Sequence, residues 1–344
     1  MLDITVGAPQ AHRNLTIFPL LATRAPELPY ALLADALASG SVHIGEVGQG
    51  TVPALTARND GDVDVLVLDG EQLIGSRQNR MTNRSLLLPA GSTIELPVSC
   101  MEHGRWHFAS EAMQPAPQHS PAKMRRSARD VEARRARVGQ AAAQDVLREA
   151  QGDVWDAIAD TASKLGVRSA TGAMDALYIE RAPDLDEMVH GFPPIEGQVG
   201  LLAFVGDAPI GLDVVGGCAL YARLHGRLLR GYVMDALEGA SGHWCAAAGA
   251  PDCALAPAAP AVQAYLDGVR AARRVPSPTV GKGTYAVLTG AVIGGELIDD
   301  DRVAHLSAFP DEPRPGAQPD GGRIIEERPL PPPSQRRQHR RRFD

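Results

Sequence analysis

The sequence predicts an α+β fold of mainly antiparallel sheets with several packed helices. Three observations carry that expectation. Short alternating or β-branched segments recur through the first third of the chain, separated by Gly- and Pro-containing turns. Longer Ala/Leu-rich stretches with helical spacing follow them. Apolar strand-sized segments then return near residues 200–215 and 284–298. With 344 residues, 44% of them hydrophobic, the chain can bury a sizeable core, and at 4% aromatic residues that core is aliphatic.

Leu15–Ala22 is apolar and reads as a strand, and Tyr30–Ala38 as a short helix stopped by Gly40. Val42–Val47 alternates apolar and polar residues, as a half-buried strand does. In Asp62–Gly75 the valines 63, 65 and 67 alternate before an Asp69-Gly70 turn. Ser85–Leu88, Thr93–Val98 and Arg105–Ala109 complete an antiparallel sheet over residues 42–109. The Pro-rich stretch Gln114–Pro121 reads as a loop. A helix over 122–150 has a strongly basic start. Gly152 interrupts it, Asp153 caps the next helix, and Gly166 ends that one. A hairpin (Gly200–Val205, Pro209–Val214), a long amphipathic helix (217–238), a further helix (Ala261–Ala272) and a strand pair (Thr284–Ile298) follow.

Residues 1–310 are thus expected as one α+β domain. From 311 to 344, Pro, Gly and Arg dominate, and the tail is expected to be disordered. The segments Gly70–Gly75 and Gly206–Gly211 share the pattern Gly-acid-x-x-Ile-Gly. Either hairpins are reusing default turn residues, or the chain holds two pseudo-symmetric halves, 1–113 and 114–310.

Only three residues of 34 basic ones are lysine, a bias that looks like a GC-rich genome before it looks functional. A net charge of −7 argues against a general nucleic-acid binder. The four cysteines, 100, 218, 245 and 253, are too sparse for a disulfide framework. No apolar run marks a leader or a membrane span, so the expected location is the cytoplasm. The run Arg336–Arg342 suits an acidic partner.

Two loops concentrate chemistry. Ser76-Arg77-Gln78-Asn79-Arg80 follows a strand and is dense in bidentate donors suited to phosphates, carboxylates, hydroxyls or a base edge; a solvated polar turn is the plainer reading. Cys100-Met101-Glu102-His103-Gly104-Arg105-Trp106-His107 joins two expected strands. Cys100, His103 and His107 have spacings a zinc ion could use, but one trio is short of a closed four-ligand site, so no metal is expected. Cys100 with a neighbouring His also reads as a nucleophile pair or, more plainly, as a buried small side chain. Arg105-Trp106 could stack on a ring and hold its phosphate, or Trp106 could simply pack against the sheet. The arginines of Lys123–Arg137 read mostly as a solvated helix face, with those at the helix start able to reach an anion. His243, Cys245 and Cys253 read as structural. No phosphate-loop, dinucleotide, nucleophile-elbow or zinc-helix motif is present, and no cofactor is expected.

The string Asp69-Gly70-Glu71-x-Leu73-Ile74-Gly75-x-x-Gln78-Asn79-Arg80, followed by Leu96-Pro97-Val98-Ser99-Cys100-x-Glu102-x-Gly104-Arg105-Trp106, resembles the bacterial ADP-ribosyl-glycohydrolase- and rhodanese-phosphatase-associated domain family. Gly152-x-Val154-Trp155, Ser169-x-Thr171 and Gly211-Leu212-Asp213 are weaker matches, and the resemblance spans most of residues 10–310. It implies a setting in NAD and ADP-ribose metabolism and no particular activity. On that setting, the two loops are expected to converge on a pocket for an ADP-ribose- or NAD-like anionic ligand. Arg77, Arg80 and Arg105 would hold anionic groups, Gln78 and Asn79 would read hydroxyls or a base edge, and Trp106 would stack. Glu71 and Glu102 are the candidate general acids or bases. The competing reading is a non-catalytic regulatory or interaction module in which these clusters are structural.

Overall fold

The computed structural model describes residues 4–22, 28–48, 50–139, 144–243 and 257–311. The chain opens with β1 (Ile4–Val6), β2 (Gln10–His12) and β3 (Leu15–Ala22). Leu15 and Ile17 of β3 enter one apolar cluster, Phe18 and Leu20 another, so both faces of this strand are covered. That is why it reads as an unbroken apolar run instead of an alternating one.

Residues 31–119 build two smaller sheets. One is three-stranded, with β7 (Val65–Val67) at its centre between β4 (Ala31–Leu32), which pairs parallel to it, and β10 (Leu86–Leu88). The other runs β12 (Met113–His119), β8 (Glu71–Gly75), β9 (Arg80–Thr82), β11 (Thr93–Cys100), β6 (Ala54–Asn59), β5 (Val42–Glu46), all antiparallel. The short helix α1 (Leu33–Ala38) follows β4. Leu55, Val65, Leu73 and Val98 belong to the shared core of these sheets.

Helices α2 (Ala122–Arg137), α3 (Gln144–Leu165), α4 (Asp175–Glu180) and α5 (Ala182–His190) come next. The chain then forms β13 (Gln198–Val205) and β14 (Ala208–Val215), α6 (Cys218–His243), α7 (Ala259–Ala271), and β15 (Arg273–Ser277), β16 (Thr284–Thr289), β17 (Val292–Asp299) and β18 (Arg302–Pro310). The large sheet runs β1-β3-β13-β14-β18-β17-β16-β15, with β2 also on β3. Tyr221, Leu224, Leu228 and Tyr232 form the buried stripe of α6, as their 3.6-residue spacing predicts. That stripe lies in the same core as Leu15, Leu201 and Phe309 of the large sheet. Val262, Leu266 and Val269 of α7 share the second core with Leu20, Leu212 and Val214. The protein is α+β with mainly antiparallel sheets. Among the described residues no helix is long and apolar enough to cross a membrane.

Several local expectations are corrected. Residues 105–109 form no strand; the whole stretch 101–112 is irregular. The Pro-rich segment is β12, an edge strand paired only with β8, and its register shifts between Pro115 and His119. An edge tolerates Pro because no neighbour needs the missing N–H. Gly152 does not interrupt α3, nor does Asp153 cap a helix, because buried Val154 and Ile158 outweigh a glycine cost of about 1 kcal/mol. The N–H groups at the start of α2 are not open to an anion, since Asp235 accepts from Ala122 (2.7 Å) and Lys123 (3.2 Å). Nor is the basic face of α2 all solvated: Arg125 and Arg129 are buried. The Gly206 turn joins adjacent strands of one sheet, whereas the Gly70 turn leads from one sheet into another. The echo therefore marks similar turns in different settings. The expectations for the 312–344 tail, Cys245, Cys253 and Arg336–Arg342 lie outside the described residues.

Candidate functional site

At the β8–β9 turn the chain reverses through Gly75 (φ 123°) and Ser76 (φ 43°). A side chain at residue 75 would place its Cβ 2.3 Å from the Ser110 hydroxyl, so the turn requires glycine. Arg80 pairs across the sheet with Cys100 and, on its other side, with Leu73. The turn 76–79 and the loop leaving β11 at Cys100 consequently meet, although they are far apart in sequence.

Seven of the eight residues singled out from the sequence come together here: Arg77, Gln78, Asn79, Arg80, Glu102, Arg105 and Trp106. Their roles differ. Arg105 donates to Glu102 Oε2 through Nε (2.8 Å), to the Ser76 carbonyl (2.7 Å) and to Asn79 Oδ1 (3.0 Å). Gln78 donates to the Glu102 carbonyl (2.8 Å) and accepts from Arg80 (3.2 Å). Asn79 Oδ1 also accepts from the Gly75 N–H (3.2 Å). These three side chains tie the two loops together. Burial pushes the Glu102 carboxyl up, but the Arg105 guanidinium, with Thr171 and the Asn79 N–H, outweighs it and holds the group below the usual range. Glu102 is therefore an ionised acceptor, not a proton donor, at neutral pH.

Arg77 and Arg80 are less committed. The Arg77 guanidinium lies 4.4 Å from the Phe108 ring centroid and 5.8 Å from that of Trp106, and Arg80 is also 5.8 Å from Trp106. Trp106 is 45% exposed and Phe108 53%, while Arg80 is 0% exposed. Among the described residues, Arg77 Nε and Arg80 Nε and Nη2 have no hydrogen-bond partner. Glu46, at the end of β5, accepts from Ser76 Oγ (2.9 Å) and the Arg77 N–H (3.2 Å). The cluster holds three guanidiniums against the carboxylates Glu46 and Glu102, so positive charge is left over. Phe108 directly follows the 100–107 cluster but was not singled out, and Glu46 was not legible because nothing near it in the sequence marks it. In sheet order β6 and β11 separate β5 from β9, so Glu46 reaches the β8–β9 turn only because the sheet curls β5 back towards its other edge.

Glu71 lies deeper. It starts β8, five residues before Ser76 and two before Leu73, the residue opposite Arg80. It is buried, pairs with His119 of β12, and lies 3.6 Å from Arg227. Burial raises its carboxyl, with Arg227 only partly opposing. Fully covered beside Arg227, it is not among the side chains gathered around Trp106 and Phe108. The zinc and nucleophile readings of Cys100 also lose their geometry. The thiol is buried and pushed up to about 11, His103 packs edge-on against Trp155 at 4.5 Å, and His107 is exposed.

A second polar cluster is wholly interior. Asp69, Asp213 and His305 are the one group among the described residues whose potential ligand atoms lie within 4.8 Å of one another. Arg125 donates to Asp213 (2.8 and 2.6 Å) and to Asp69 (3.0 Å), and Arg129 lies 3.1 Å from Asp69. The compensating charge is thus already supplied by guanidiniums. Burial opposes ionisation of both carboxyls, but Arg125 outweighs it, with Arg129 at Asp69, and holds both well below the usual range. Ser85 Oγ is 2.6 Å from His305 Nδ1, and His305 Nε2 is 3.1 Å from Asp213. This serine–histidine–aspartate chain is inside the protein, with Ser85 also accepting the Asp69 N–H (3.0 Å), so it braces the junction of sheets. Two cavities lie apart from both clusters. One of about 210 Å³ is lined by Leu20, Leu212, Val214, Leu266 and Arg274; another of about 370 Å³ is lined by Arg13, Lys164, Arg181 and Met188.

The sequence matches the ARPP-1 family, the ARG and Rhodanese-Phosphatase-superfamily-associated Protein domain, over residues 3–309, and the chain belongs to that family. No curated protein and no solved structure matches it. The family name links the chain to an ADP-ribosyl-glycohydrolase and rhodanese-phosphatase setting.

Proposed function

We propose that this family member binds a nucleotide-type anionic ligand of the ADP-ribose or NAD class at the Arg77–Arg80–Trp106–Phe108 cluster. The carrying observation is that two guanidiniums with uncommitted donors lie under two half-exposed aromatic rings. Aromatic faces stack bases and guanidiniums bind phosphates bidentately, so the combination suits a nucleotide more than a simple anion. The family's ADP-ribose setting supports the same ligand class. In this reading Gln78, Asn79, Glu102 and Arg105 are positioning residues that hold the two loops in register.

The test is calorimetric titration of ADP-ribose and NAD into wild type, Arg77→Ala and Trp106→Ala. Both side chains are partly exposed, so both variants should fold. Saturable wild-type binding, at least ~10-fold weaker in each variant, is expected from losing a charge-assisted contact or a stacked ring. Assaying the same mixtures for a released product separates an enzyme from a binder. A second reading has its own support: the Arg105–Glu102–Asn79 ties are internal, as in a structural brace, and the exposed rings would then suit a protein partner. Absence of any nucleotide binding would favour it.

A further inference from the structure

Beneath Trp106 and Arg77, two buried groups are incomplete in opposite senses. Arg80 Nη2 is 4.0 Å from Glu46 Oε1, too far for a hydrogen bond, and the two side chains are 0% and 5% exposed. Glu46 Oε1 is already occupied by Ser76 Oγ (2.9 Å) and the Arg77 N–H (3.2 Å). Among the described residues, Glu46 Oε2 has no donor, and Arg80 Nε and Nη2 have no acceptor. Buried polar atoms normally find partners, so an acceptor and donors left without any on two neighbouring side chains point to a group that completes them.

The chemistry of the completing group is constrained. It must donate to a carboxylate and accept from a guanidinium within one small space. A phosphate oxygen accepts but does not donate, and it would bring negative charge up to Glu46. An ammonium donates but does not accept, and it would face Arg80. A hydroxyl, a carboxamide and a purine edge each do both, and among these a vicinal diol does so with two oxygens at once. Charge leads to the same division. Glu46 offsets Arg80, and Glu102 offsets Arg105 at 2.7 Å. The remaining cation is Arg77, further out under Phe108.

We propose that the Glu46–Arg80 pair is a sugar-hydroxyl subsite, taking the vicinal diol of a ribose, while the ligand's phosphate lies outward on Arg77. This rests on the nucleotide reading above and adds an orientation to it: sugar inward, anion outward. Trp106, on the irregular 101–112 loop and within 5.8 Å of Arg80, is the cover that a ribose must displace.

The experiment titrates wild type and Glu46→Gln with three probes: ADP-ribose, an ADP-ribose analogue lacking the 2- and 3-hydroxyls of both riboses, and inorganic diphosphate. A site built around a hydroxyl rejects the analogue that lacks it, because its buried partners are then left unpaired. The deoxygenated analogue should therefore bind wild type at least ~30-fold more weakly than ADP-ribose. Glu46→Gln should weaken ADP-ribose yet leave diphosphate binding unchanged or tighter, since the like charge is gone. A merely structural glutamate would weaken both together. If Glu46→Gln fails to fold, the wild-type comparison of ADP-ribose with its analogue still decides. Equal binding of those two overturns the diol subsite and leaves the nucleotide reading standing. No binding of ADP-ribose to wild type removes both, and the Glu46–Arg80 pair is then completed by ordered water only.

Discussion

Replacing Arg125 by Met tests whether the interior cluster is a structural brace. Arg125 makes three hydrogen bonds to two buried carboxylates: 2.8 and 2.6 Å to Asp213, 3.0 Å to Asp69. After the substitution Asp69 keeps Arg129 at 3.1 Å, but among the described residues Asp213 keeps only Tyr232 (2.7 Å) and His305 (3.1 Å) as side-chain partners. Three charge-assisted bonds at ~1.5–3 kcal/mol each set an upper bound that solvent competition and relaxation reduce. Stranding one member of a buried pair typically costs ~3–5 kcal/mol, and that is the expected loss. The assay is urea denaturation at neutral pH, read as a lower midpoint with unchanged slope. The sign with pH is also determined. Arg125 holds Asp213 well below its ordinary value in the folded state, so the stability this confers is complete above about pH 4, the unfolded carboxylate range. It is lost as pH falls further, and the gap between wild type and Arg125→Met should close with it. Adding Asp213→Leu to Arg125→Met should recover part of the loss, because no unpaired charge then remains. A loss under about 1 kcal/mol for Arg125→Met at neutral pH would refute the brace.

Two further outcomes are expected. The His119 imidazole is buried beside Arg125 and pushed down to about 3, so it folds neutral. Stability should be complete above about pH 6.5 and fall as pH drops towards 3, because the unfolded chain takes up the proton first. His119→Phe should flatten that part of the stability profile in thermal melts from pH 7 to 4; an unchanged slope would assign the acid sensitivity elsewhere. Gly75→Ala forces a Cβ into the Ser110 hydroxyl at a positive φ, and should cost about 1–3 kcal/mol by thermal melting while weakening any ligand held by Arg77.

Patterns within one element were legible. The β3 strand, the α6 stripe and the β13–β14 hairpin all follow from local spacing of apolar residues. Elements whose character depends on a neighbour were misread. β12 holds its prolines because it lies at a sheet edge, and α3 runs through Gly152 because its apolar face is covered. The strand β9 is three residues long and carries no apolar pattern beyond Met81.

The sequence by itself determined that 77–80 and 102–106 are dense in hydrogen-bonding groups, because residue type alone sets that capacity. Which of them remain uncommitted was decided by tertiary structure. The β8–β9–β11 pairing sets Arg105 against Glu102 and Asn79 and commits donors of its guanidinium there. The curl of the sheet brings Glu46 of the edge strand β5 to Arg80, while Glu71 is buried beside Arg227. Composition likewise made α2 look like a solvated basic face. Two of its arginines are instead buried because Asp69, from the β7–β8 turn, meets both of them and Asp213, from β14, meets Arg125. Charge pairing between distant segments has no local pattern to leave in a sequence: it depends on where the chain returns, and packing sets that.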